Sequence, residues 1–198
     1  MLTFQKIFSL YYKTKKKKSR KNINISKTSG ILSMLVFTDG SFSHKPNAAG
    51  AGFVIVSSDG KQIASNGCYS YKCENNNIAE ILAIATALKY IHKKQINENK
   101  TLEIITDSDY ARHRICNRFI SNNKFENKLL TYIYDFIDNY PKPINIVLVK
   151  GHVHDGTKLS FYNNIADAIA GEYRHIALEK YKEDSKFRHY KNKKDKYI

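Results

Sequence analysis

Regular patterning begins at residue 35 and runs to about residue 180. Residues 35–41 read as a first strand, and Gly50, Gly52 and the apolar run 53–57 as a second. Asp59-Gly60 is a hairpin turn signal, so residues 62–71 are expected to return as a third strand beside the second. Ile78, Ile81, Leu82, Ala85, Leu88 and Ile91 then recur at helical spacing to about Lys94, with Asn76 or Asn77 as the expected N-cap. Residues 102–106 form a fourth strand, and helices are expected over 108–122 and 126–139, the latter stopped by Pro141 and Pro143. Residues 144–150 read as a fifth strand. A polar loop leads to a last helix from about Asn163, with Ile165, Ile169, Tyr173, Ile176 and Ala177 on one face and a frayed polar tail after Lys182. A meander followed by alternating elements, β-β-β-α-β-α-α-β-α, implies an α/β domain: a mixed five-stranded sheet with helices on its faces.

Charge changes the picture at the ends. Of a net charge of +15 over 198 residues, residues 1–35 contribute nine Lys/Arg and no acid, while 36–178 are nearly neutral. We therefore divide the chain into a basic arm (1–33), a folded domain (34–182) and a basic tail (183–198). Such arms favour polyanions through counterion release without reading sequence. Residues 1–10 are mildly amphipathic and no acid precedes Asp39, so an organelle-targeting role for the arm is a second reading. No apolar run approaches the roughly 18–20 residues of a membrane span. Cys68, Cys73 and Cys116 have neither disulfide parity nor the spacing of a zinc knuckle, which fits reduced thiols in the cytoplasm or another reducing, nucleic-acid-containing compartment.

Four acids stand out by position. Asp39 follows the apolar strand residues 35–38, and Asp107 ends the strand 102–106. Glu80 lies about one turn into the first helix, and Asp167 about one turn into the last. A carboxylate at a buried strand is costly unless a cation holds it. Each alone has a plainer reading: Asp107 could cap the helix after it, and Asp167 could favour a helix dipole. Together they would repel one another and call for divalent cations, and oxygen-only ligands select Mg²⁺ or Mn²⁺ over zinc.

The segments Phe37-Thr38-Asp39-Gly40-Ser41, Asn75-Asn76-Asn77-Ile78-Ala79-Glu80, Ile105-Thr106-Asp107-Ser108, Val149-Lys150-Gly151-His152 and Asn163-Asn164-Ile165-Ala166-Asp167 together resemble, in order, the signature segments of type 1 ribonuclease H. The resemblance covers about residues 35–180. It implies a ribonuclease H-like fold, with strands one to three antiparallel and strands four and five parallel to the first. The implied activity is hydrolysis of the RNA strand of RNA–DNA hybrids, leaving 5′-phosphate and 3′-hydroxyl ends. The family's acidic quartet falls on Asp39, Glu80, Asp107 and Asp167, which would hold two Mg²⁺ ions, or Mn²⁺ in their place. By the same resemblance Asp39 bridges both ions, Glu80 and Asp107 share one, and Asp167 binds the other, with Glu80 also sensing a ribose 2′-hydroxyl. His152 matches the family's mobile-loop histidine, with His154 the rival, in a loop containing Asp155-Gly156-Thr157-Lys158 that could gate product release. Asn76 and Asn77 align with minor-groove contacts, beside Gly40 and Ser41, and Asn75 stands where relatives bind phosphate. The chain is expected to act as a monomer.

Two departures matter. Asp109 stands where many relatives carry a base-contacting Gln, so either it turns away from the hybrid or the grip differs there. The Trp- and Lys-rich protrusion between the central helices is missing from 112–140, and the basic arm is expected to supply that nonspecific affinity. The competing readings are an inactive nucleic-acid-binding or scaffold module of the same fold, and another nuclease such as a junction resolvase or integrase core. The first usually lacks one or more of the acids. The second spaces them differently.

Overall fold

The computed structural model describes residues 33–96, 99–151 and 155–194. Five strands, β1 (Ser33–His44), β2 (Asn47–Ser57), β3 (Gln62–Ser70), β4 (Thr101–Thr106) and β5 (Ile144–Leu148), form one sheet in the order β3-β2-β1-β4-β5. β1, β2 and β3 pair antiparallel, while β4 lies parallel to β1 and β5 parallel to β4. Four helices complete the domain: α1 (Asn76–Lys94), α2 (Asp109–Cys116), α3 (Lys124–Asn139) and α4 (Lys158–Lys194). Element order is that expected from the apolar pattern, and strand directions are those the resemblance implied.

Side chains alternate across the sheet, as a strand's period of two requires. Met34, Val36, Phe53, Ile55, Leu102 and Ile104 pack with α1 and α3 on one face. Phe37, Val54, Val56 and Ile105 meet Ala166 and Ile169 of α4 on the other. At about 25 cal/mol per Å² of apolar area removed from water, these two layers supply the main drive to fold. α1 is buried along most of its length, which suits a helix held between the sheet and α3.

The differences from expectation have local causes. The N-cap of α1 is Asn75, whose Oδ1 accepts from the Ile78 N–H at 3.0 Å, so neither Asn76 nor Asn77 caps it. α2 stops at Cys116 because Arg118 takes up a left-handed conformation (φ 52°). There the Tyr134 hydroxyl shares its one proton between the Arg114 and Phe119 carbonyls, at 2.8 and 3.0 Å, which fixes the turn. α4 starts at Lys158, earlier than expected, because Thr157 Oγ1 accepts from the Ser160 N–H at 3.1 Å and Asp155 braces both residues. It also runs to Lys194, past the point where fraying was expected. β5 ends at Leu148, leaving Val149 and Lys150 outside the strand. Cys68, Cys73 and Cys116 are free thiols. No helix among the described residues is long and apolar enough to cross a membrane.

Candidate active site

β1 continues beyond its last pairing with β4, at Phe37–Ile105, while still paired to β2. β4 ends at Thr106, so a crevice opens where the two strands part, with Asp39 on one wall and Asp107 on the other. Asp39 shares its face of the sheet with Leu35 and Phe37, the face covered by α4. Its partner on β2 is Gly52. A Cβ on Gly52 would overlap the α4 backbone at Ala166 and Ala170, so only glycine lets that helix lie this close. Asp167, next to Ala166, is thereby brought to Asp39. Gly40 plays the same part for α1. A Cβ there would strike the Ala79–Glu80 backbone, and the Gly40 N–H donates to Glu80 Oε2 at 3.0 Å.

Single oxygens of Asp39, Glu80 and Asp107 lie within 4.8 Å of one another. Asp39 is 6% and Glu80 5% exposed, and the cleft they line with Asp167 has a volume of about 550 Å³. Burial, then the charges of Glu80, Asp107 and Asp167, push the Asp39 carboxyl up to about 9. Burial and Asp107 push Glu80 up to about 8, although the Gly40 N–H and the Asn76 amide pull it down. Carboxyls this crowded resist ionisation until positive charge arrives. The donors are all oxygens, which fits Mg²⁺ or Mn²⁺ and not a site built for zinc.

The plainer readings of the acids do not survive. Ser108, not Asp107, caps α2, its Oγ accepting from the Ala111 N–H at 3.2 Å. Asp167 lies nine residues after Lys158, beyond the first turn to which a helix dipole's pull is confined.

The model of the family described as RNase H matches residues 32–174, which includes every acid of the cleft. The chain belongs to the RNase H family. That bears out the resemblance to type 1 ribonuclease H. Among solved structures, RNase H1 from the halophilic archaeon Halobacterium salinarum NRC-1 is 22% identical, covering 71% of this chain and 96% of its own, with a TM-score of 0.58. LC11-RNase H1, solved in complex with an RNA/DNA hybrid, is 19% identical with a TM-score of 0.58, over 73% of this chain and 99% of that one. Prototype foamy virus protease–reverse transcriptase is 22% identical with a TM-score of 0.61, over 77% of this chain and 23% of that one. These likenesses establish the RNase H fold. No curated protein matches.

Within this RNase H domain, Asn76, Asn77, Gly40 and Ser41 also line the cleft. Asn76 Nδ2 donates to Glu80 Oε1 at 3.3 Å, so both oxygens of Glu80 are held. Asn75 is exposed, spends its Oδ1 on the helix cap and does not line the cleft. His152 and His154 lie outside the described residues. Sequence reasoning named Gly52 and Gly151 but missed their packing roles, and a Cβ on Gly151 would collide with the Asp107 carboxylate. Paired glycines in a strand, Gly50 and Gly52, were the available signal of close backbone approach. Asp109, at the rim, pairs sideways with Arg112 at 2.8 Å.

Proposed function

We propose that the chain is an endoribonuclease that hydrolyses the RNA strand of RNA–DNA hybrids, leaving 5′-phosphate and 3′-hydroxyl ends. The observation that carries this is the gathering of Asp39, Glu80, Asp107 and Asp167 in one cleft of an RNase H domain. Asp39, Glu80, Asp107 and Asp167 would hold two Mg²⁺ ions, with Mn²⁺ able to substitute. Two such ions, when bound, activate the attacking water and neutralise charge on the leaving oxygen. The protein's own part is placement. Gly40 and Asn76 fix Glu80, so that its carboxylate need not reorganise when substrate arrives. Glu80 would also meet a ribose 2′-hydroxyl, the group that separates RNA from DNA. Asn76, Asn77 and Ser41 offer amide and hydroxyl groups to sugars and base edges, and Asn75 an amide N–H to phosphate. His152 assists proton transfer or product departure. The basic arm and tail add sequence-independent affinity.

The test is a labelled RNA–DNA hybrid incubated with the full chain in Mg²⁺ or Mn²⁺, beside EDTA, Asp39→Asn and duplex DNA. Metal-dependent cutting confined to the RNA strand and lost in Asp39→Asn is the expected result. A folded protein that cuts no hybrid in either metal would sink the proposal in favour of an inactive binding module.

A further inference from the structure

Asp109 is an acid placed where the cleft meets a polyanion. It opens α2, borders the cleft with Asp107 and Ser108, and its side chain is 68% exposed. The helix dipole accounts for an acid in a first turn. It does not account for the way this one is bonded. Arg112 Nε and Nη2 both donate to a single oxygen, Oδ1, at 3.2 and 2.8 Å. Among the described residues none bonds Oδ2. The cation screens the carboxylate from approaching phosphates and holds it in place, while one acceptor oxygen stays available at the rim.

A hybrid that presents its RNA strand to this cleft presents the minor groove, because the deep, narrow major groove of an A-like helix is closed to side chains. In the minor groove every base pair shows acceptors, and only guanine adds a donor, its N2 amino group. A carboxylate accepts and cannot donate. It gains a hydrogen bond from guanine and faces only acceptors on an A·U or A·T pair.

Building on the hybrid-cleavage reading above, we infer that Asp109 is a specificity-determining residue that favours a guanine at one fixed position relative to the cut, through its N2 amino group. One such bond corresponds to a preference of roughly three- to tenfold.

The experiment maps cut sites on a hybrid of randomised sequence for wild type, Asp109→Ala and Asp109→Asn. Wild type is expected to enrich guanine at one position. Asp109→Ala should lose the enrichment. Asp109→Asn should admit adenine there as well, since an amide both donates and accepts. Replacing that guanine by inosine, which lacks the amino group, should slow wild type three- to tenfold and leave Asp109→Ala unmoved. Hybrid cutting without enrichment, or with equal enrichment in Asp109→Ala, overturns the inference and leaves hybrid hydrolysis standing. Failure to cut any hybrid overturns the activity itself and this inference with it.

Discussion

Crowding the carboxyls in the cleft has a measurable consequence for stability before any substrate is involved. Asp39 is raised from 3.8 to about 9 by burial first and by Glu80, Asp107 and Asp167 after it. Between those two values the native state holds a proton that the unfolded chain has released. Stability therefore falls as pH rises through that window, and it is highest below the unfolded value. At 1.36 kcal/mol for each tenfold step, the span from 3.8 to pH 7 corresponds to a penalty of about 4 kcal/mol. Water entering an open cleft and small side-chain shifts reduce this, so Asp39→Asn is expected to stabilise the metal-free protein by about 1–3 kcal/mol. For a domain of this size that raises Tm by roughly 3–10 °C.

Differential scanning calorimetry in EDTA at pH 5, 7 and 8.5 reads the effect. Wild type should lose stability from pH 5 to 8.5, and Asp39→Asn should lose less. Added Mg²⁺ should raise the Tm of wild type, because a cation that binds only the native state stabilises it by mass action. Its effect on Asp39→Asn should be much smaller. An Asp39→Asn protein less stable than wild type at pH 7 in EDTA would refute the reasoning. Asp39 would then be contributing hydrogen bonds that outweigh the repulsion.

Three further outcomes follow from the packing and the charge distribution. Gly52→Ala would force α4 away from β2 at Ala166, so hybrid cleavage should fall at least about 100-fold and Tm should drop, both read on the same preparation. Glu126 is buried and accepts from the Tyr110 hydroxyl at 2.8 Å and the Ser121 hydroxyl at 2.6 Å, with Arg114 at 3.5 Å. Glu126→Ala removes the acceptor of both hydroxyls and the carboxylate beside Arg114, which keeps its bond to the Tyr110 hydroxyl at 2.7 Å. The substitution should cost about 3 kcal/mol in urea unfolding, while Glu126→Gln costs less. Deleting residues 1–30 removes nine Lys/Arg and should weaken hybrid binding and flatten its dependence on salt, measured by fluorescence anisotropy. Unchanged affinity at low salt would locate the binding charge elsewhere.

The sequence carried the sheet and the four acids because both depend on short-range signals. Alternating apolar positions and turn residues mark strands, and an acid in or just after an apolar strand, as at Asp39 and Asp107, is conspicuous against the cost of burying it. Glu80 and Asp167, on helices, stood out through the ordered segments of the resemblance. Legibility failed wherever a side chain had two uses. Asn75, Asn76 and Asn77 are one residue type three times over, and tertiary position alone separates the cap at Asn75 from the brace on Glu80 at Asn76. The early start of α4 was hidden because Thr157 and Ser160 read equally well as loop residues until Asp155 ties them together. Gly52 was visible as a glycine but silent about its role, since the helix it admits lies more than a hundred residues away in the chain. That separation is the physical core of the site. Asp39 and Asp167 meet because a strand gives up a side chain opposite one acid so that a distant helix can deliver the other. A carboxylate pattern alone therefore identifies candidates, and the missing Cβ beside Asp39 explains how they come within reach of a common cation.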